Sequence, residues 1–207
     1  MIQFRVCRLA TVAGIIVFSV LSLPAVKAAE IGLSRKEITG ISSPLTVAAV
    51  IISGQIENGD AKKVEALLSE INRTDDGHQI RRLLIHSPGG LVGEAMKIGR
   101  LLRANGVEVF IPRETSCISA CVLILAGGAT RTIEGQVGID DPHFLRAAGP
   151  GDNVPALLAE TKRMMRDYFR SMGVAENLAD AMFSVPTGDV RFLRQDELLQ
   201  YQLKKLR

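Results

Sequence analysis

Two hydrophobic periods alternate along this chain, and the switches between them outline its elements. Leu45 to Ser53 (LTVAAVIIS) is a β-branched run closed by Gly54, which predicts a buried strand. Gly54 to Gly59 reads as a turn with Asp60 as N-cap. Ala61 to Ile71 then sets Val64, Leu67, Leu68 and Ile71 on one helical face. The polar stretch Asn72 to Gln79 leads into a second apolar run, Arg82 to His86, which Ser87-Pro88-Gly89-Gly90 cuts off. Helical spacing resumes from Leu91 to Asn105 with Gly106 as its C-terminal cap, and Val107 to Ile111 predicts a third strand. Ser116 to Leu125 reads as a turn into a short apolar helix ahead of Gly127-Gly128, and Arg131 to Ile139 as extended chain. A loop over 145–155 precedes a long amphipathic helix, Pro155 to Met172, and a further helix from Ala175 to Phe183. Phe192-Leu193 and a helix over Asp196 to Leu203 close the chain.

Strands and helices in alternation, joined by short loops, imply a single α/β domain with largely parallel strands and right-handed crossovers. In such folds ligands gather at the C-terminal ends of strands, which is where Gly89 and Gly90 fall.

The first residues change the picture of where this domain begins. Met1 to Arg8 carries two arginines and no acid, and Leu9 to Val26 is almost wholly apolar. Small residues then surround Ala28-Ala29. That order describes a signal peptide over residues 1–28, with cleavage before Ala29 and a folded domain over 29–207. An uncleaved anchor is the alternative, because about 18 apolar residues approach a spanning length; Pro24 and the small-residue exit favour cleavage. The expected location is therefore periplasmic or secreted, with the membrane met only through this segment.

The net charge is +3 and the basic residues are scattered, which gives no footprint for nucleic acid. Cys117 and Cys121 remain in the mature chain. Their spacing of four suits two thiols on one helical turn better than a bridge, and the reading of the residues is two small buried side chains. No histidine lies at ligand spacing beside them, so no metal and no cofactor is expected.

Two local features carry chemistry. In the first, Ser87-Pro88-Gly89-Gly90 opens a helix, and adjacent glycines permit backbone angles that turn an amide N–H outward, ready to hold a developing oxyanion. A tight turn without function is the plain alternative. In the second, Ser116-Cys117-Ile118-Ser119-Ala120-Cys121, a serine flanked by small residues stands at the first turn of a buried helix, where the N–H of Ala120 supplies a second donor. Taken alone, Ser119 reads as an N-cap.

Together, SPGG and a small-residue serine turn about 30 residues later resemble the Clp protease proteolytic subunit, within the ClpP/crotonase superfamily. The resemblance is closest to exported Clp-like proteins carrying a C-x-S-A-C turn, and it runs from about Val50 to His143. It implies a repeated ββα superhelix, peptide or protein substrates and a homo-oligomer. It also implies Ser119 as nucleophile, with Gly89 or Gly90 and Ala120 as the oxyanion hole. An ATP-driven unfoldase partner is not expected outside the cytoplasm.

The resemblance departs at the base. In Clp-like proteases the catalytic histidine follows a glycine–hydrophobic pair and stands two residues before a proline; here Val137-Gly138-Ile139-Asp140-Asp141-Pro142-His143 puts Asp140 there. Three outcomes stay open. His143 takes the place of the base, a desolvated Asp140 acts instead, or the site only binds. Asp189 is the nearest carboxylate for a third member. His86 reads as packing and His78 as exposed, and Lys97, Lys162, Lys204 and Lys205 offer no obvious serine–lysine pair. The two readings carried forward are a serine peptidase and an inactive Clp-like scaffold that binds peptides. Acyl-CoA chemistry on the related crotonase fold is disfavoured by export.

Overall fold

The computed structural model describes residues 27–38, 45–73, 79–142 and 153–205. Its elements, in chain order, begin with β1 Glu30–Ile38, β2 Leu45–Ser53, α1 Asp60–Arg73, β3 Gln79–His86, α2 Val92–Ala104 and β4 Glu108–Ile111. There follow β5 Ser116–Ile118, α3 Cys121–Gly127, β6 Thr130–Ile133 and β7 Gln136–Ile139. The chain continues through α4 Val154–Ser171, α5 Asn177–Phe183, β8 Arg191–Phe192 and α6 Gln195–Gln200. One sheet has the order β1-β2-β3-β4-β6 and the other β5-β7-β8. β2, β3, β4 and β6 are parallel, as are β5 and β7; β1 and β8 join antiparallel at edges. This is the α/β, largely parallel arrangement that the alternation of elements predicts.

Three features differ from the sequence reading. β1 is a full edge strand, and the chain ahead of it already pairs: Ala29 N–H donates to Gln55 O (2.8 Å) and Gln55 N–H to Lys27 O (2.9 Å). The extended segment Arg131 to Ile139 is two strands in two different sheets, parted at Glu134-Gly135. Gly135 closes against the carbonyls of Pro112 and Thr115, where a side chain has no room. The third difference, a disulfide, belongs to the site. The segment 1–26 lies outside the described residues, and among those described no helix is long and apolar enough to cross a membrane.

Period-2 burial on β2 sends Ala48, Val50 and Ile52 into the core and leaves Ile51 exposed. On α1 the buried face is Val64, Leu68 and Ile71, and the first turn is held from outside the helix. The Glu94 carboxylate of α2 accepts the N–H groups of Gly59 (3.2 Å) and Ala61 (3.1 Å). α3 is apolar all round because every one of its residues is buried. It lies against α2 at the glycine pair Gly99 and Gly127, with Tyr168 of α4 donating to Leu123 O (2.8 Å). Its C-terminal carbonyls are taken by Arg131, which reaches Leu125 O (3.2 Å), Ala126 O (2.6 Å), Met172 O (2.8 Å) and Gln202 O (3.1 Å). This buried helix, wedged between the two sheets, presents its N-terminus to the site.

Candidate active site

The last residue step of β3 crosses from one sheet to the other. Ser87 N–H donates to Ser116 O and Ile118 N–H donates to Ser87 O, both at 3.0 Å, so the end of β3 is laced to β5. Beyond it Gly89 and Gly90 take φ of +107° and +138°, angles that a side chain resists. The Ser87 hydroxyl, wholly buried, accepts the Gly89 N–H (3.1 Å). Ile56 fixes the next peptide by donating to Gly89 O (2.7 Å) and accepting from Leu91 N–H (3.0 Å). The Gly90 N–H is left without an acceptor among the described residues. Gly89 packs on the serine turn so tightly that a Cβ there would lie 2.6 Å from Ser119 Cβ and 3.1 Å from Ala120 N. Ala120 N–H likewise meets no acceptor among the described residues. The two turns that pack together at Gly89 and Ser119 thus each carry a free amide, at Gly90 and at Ala120.

Ser119 itself has φ +58°, a left-handed angle unusual for a residue with a Cβ. It stands between the end of β5 and the start of α3, nearly buried, with its N–H bonded to Gly138 O on β7 (3.1 Å). The turn is too sharp for a helical N-cap; it is the strained elbow that lifts a side chain off a strand–helix junction. The same turn corrects the reading of the cysteines. Cys117 and Cys121 form a disulfide across it, with their Cα atoms 5.2 Å apart. Their spacing of four is not one helical turn, because Cys117 lies on β5 and only Cys121 is in α3. The left-handed residue between them folds one back toward the other.

The carboxylate of Asp140, immediately after β7, lies beside the Ser119 hydroxyl, close enough to feel it. Burial raises its pKa above the ordinary 3.8, and the Ser119 hydroxyl and its own backbone offset part of that rise. Its Oδ1 is enclosed and has no partner. A serine hydroxyl, a carboxylate of weakened acidity and two free amides thus converge, which is the set needed for attack on a carbonyl and for holding the oxyanion that results.

The Clp protease family profile matches residues 34–134, a span containing SPGG, Ser119 and Ala120 and ending six residues before Asp140. The matched stretch is similar to the Clp protease family, and the fold is ClpP-like. Among solved structures it is similar to a point mutant of the 1510-N membrane-bound stomatin-specific protease, with 18% identity and a TM-score of 0.57 over 76% of this chain and 75% of that one. It is similar also to a mutant of ClpP1 from Listeria monocytogenes, with 16% identity and a TM-score of 0.56 over 75% of this chain and 87% of that one. No curated protein matches the sequence.

Around this ClpP-like core the other expected site residues sort by position. Asp141, missed in the sequence, is buried and accepts the Thr187 hydroxyl at 2.9 Å, tying the segment after β7 to the turn before β8. Asp189, expected as the third member, is exposed on that turn, its N–H donating to Pro186 O (3.0 Å). The fixed residue of the turn is Thr187 instead. His143 and His78 lie outside the described residues. His86 is exposed rather than packed, and its Nδ1 accepts the Ser116 N–H (3.1 Å), bracing β5 where it meets β3. Lys97 pairs with Glu94 (2.6 Å), Lys162 with Asp180 (2.8 Å), and Lys204 bonds Gln195 (2.9 Å), which leaves these three engaged away from Ser119. Lys205 lines a cleft of about 640 Å³ between β6 and α6, again remote from the serine. Among the described residues no group of three histidine, cysteine or acidic side chains could hold a metal ion.

Proposed function

We propose that the chain is an exported ClpP-like serine peptidase in which Asp140 stands in for the family's histidine. The observation that carries this reading is the placing of the Ser119 hydroxyl, on its left-handed turn, beside a carboxylate made more basic by burial. Ser119 Oγ attacks the peptide carbonyl while its proton passes to Asp140; Gly90 and Ala120 N–H hold the oxyanion. Protonated Asp140 then gives the proton to the leaving amine, and water hydrolyses the acyl-enzyme by the same route. The Clp protease match supports peptidase-type chemistry on peptides by an oligomeric protein; the apolar N-terminal stretch supports export and hence a periplasmic or secreted location.

A second reading is favoured by the carboxylate itself. A site with aspartate in place of histidine, and one carboxylate oxygen unpartnered, also suits a scaffold that holds a peptide carbonyl in the two amides without cleaving it. Fluorophosphonate labelling of the mature protein from about pH 5 to 9 separates the two, since the probe reports an activated serine. Wild type labels, increasingly as pH rises, and Ser119→Ala does not. A folded wild type that stays unlabelled at every pH makes the binding scaffold the better reading.

A further inference from the structure

We infer that the Cys117–Cys121 disulfide is a one-way oxidative gate on the active site: Ser119 becomes competent only once the chain has met a thiol oxidant. The inference rests on the reading of Ser119 as the nucleophile.

Three observations carry it. The bond closes a ring of five residues whose central member is Ser119, the residue held at φ +58°. A left-handed angle at a residue with a Cβ persists only where its surroundings over-determine it. Both ends of the ring are anchored. Cys117 pairs with Val137 in the β5–β7 register and faces Ser87 of the SPGG turn, while Cys121 opens the fully buried α3. A covalent link between these anchors leaves the three residues between them little choice of path. Without it the turn is held only by backbone bonds: Ile118 N–H to Ser87 O, Ser119 N–H to Gly138 O, Val122 N–H to Ser119 O and Leu123 N–H to Ala120 O. It is then free to relax toward right-handed angles, which would swing the hydroxyl and the Ala120 amide out of line with Gly90 and Asp140.

Burial gives the gate its direction. Both cysteines are wholly inaccessible in the folded protein, so no reductant reaches the bond after folding. Oxidation therefore precedes closure of the core. The Cys117 thiolate attacks one sulfur of an oxidising protein disulfide, breaking that S–S bond and forming a mixed disulfide. The Cys121 thiolate then attacks the Cys117 sulfur. The oxidant leaves as its dithiol with both electrons, and the two protons from the cysteines end on its thiolates or in water. A chain still in a reducing compartment would carry the complete set of site residues with the serine out of register, which protects the cell that makes it.

The test is to unfold the mature protein in denaturant with dithiothreitol and refold it in two halves, one kept reduced and one with oxidised glutathione. Each is labelled with a fluorophosphonate, normalised to native near-ultraviolet circular dichroism. The Cys117→Ala/Cys121→Ala double variant is treated as the reduced half. The expected result is native spectra throughout, with labelling of the reduced half and of the double variant slower by about tenfold or more and recovered on unfolding and reoxidation. Equal labelling overturns the gate. A reduced half that loses its native spectrum also overturns it, because the bond would then serve the whole fold rather than the serine. Absence of labelling in the folded, oxidised half sinks the nucleophile reading itself, an outcome distinct from the other two.

Discussion

Replacing Asp140 by asparagine tests the proposed base through two readouts that move in opposite directions. The carboxylate is half-buried, its Oδ1 is enclosed without a partner, and burial raises its pKa above 3.8. A raised folded-state pKa means that the fold favours the protonated form. Stability on this account is fullest below the unfolded value and is lost as pH rises through the folded one. At neutral pH the charge is therefore a liability. An unpaired buried oxygen costs about 1–3 kcal/mol, and partial exposure puts Asp140 near the lower end, at about 1 kcal/mol. Neutral asparagine of the same shape should recover most of that, raising Tm by about 2–4 °C for a domain of this size. Catalysis moves the other way. Loss of a general base costs about 10²- to 10⁴-fold, so fluorophosphonate labelling should fall at least a hundredfold. The wild-type rise of labelling with pH, with a midpoint above 3.8, should disappear. Differential scanning calorimetry and labelling kinetics at matched pH measure both. A variant that labels like wild type refutes the base assignment. One that melts lower at neutral pH refutes the claim that burial disfavours the charge.

Two further outcomes follow from the same geometry. Ser119→Gly should be more stable than Ser119→Ala by about 1 kcal/mol, because only glycine takes φ +58° without cost, while neither variant labels; urea unfolding compares them. Arg131→Met should cost about 3 kcal/mol in the same assay. It leaves Leu125 O and Gln202 O without the guanidinium that now serves them, and leaves only Arg103 on Ala126 O and Met172 O. Burial, with Arg103 alongside, pushes the Arg131 pKa down to about 10, so the group stays charged at neutral pH and that loss should be flat across neutral pH.

Much of the fold was legible because its central strands and first helices are strongly periodic. Val50 and Ile52 on β2, Val64 and Leu68 on α1, and the SPGG break after β3 each announce their place. β1 was not legible because past Leu33 its residues are mostly polar and exposed, as befits an edge strand whose partner lies on one side only. The split of Arg131 to Ile139 between two sheets depends on contacts around Gly135 that no local pattern encodes. At the site, residue types pointed to Ser119, Ala120 and the glycine pair, and the structure brings these together. The disulfide was obscured by the assumption that a spacing of four means a helix. A left-handed serine, visible only in three dimensions, makes that assumption fail. Asp141 and Thr187 lie 46 residues apart, and their pairing across the segment between β7 and β8 has no signature in either neighbourhood.

The parallel strands also sort the molecule into two poles. The joins between Ile38 and Leu45 and between Arg73 and Gln79 both meet the sheet where Thr46 pairs with Gln79. Ser87, the glycines and the serine turn gather at the other end of β3, about 23 Å away along extended chain. Length and composition at the first pole are thus decoupled from the chemistry at the second. A fluorophore or a tethering cysteine at Arg73, exposed at the end of α1, would let the protein be followed or immobilised with its serine undisturbed. Natural variation would be expected to accumulate at that pole for the same reason.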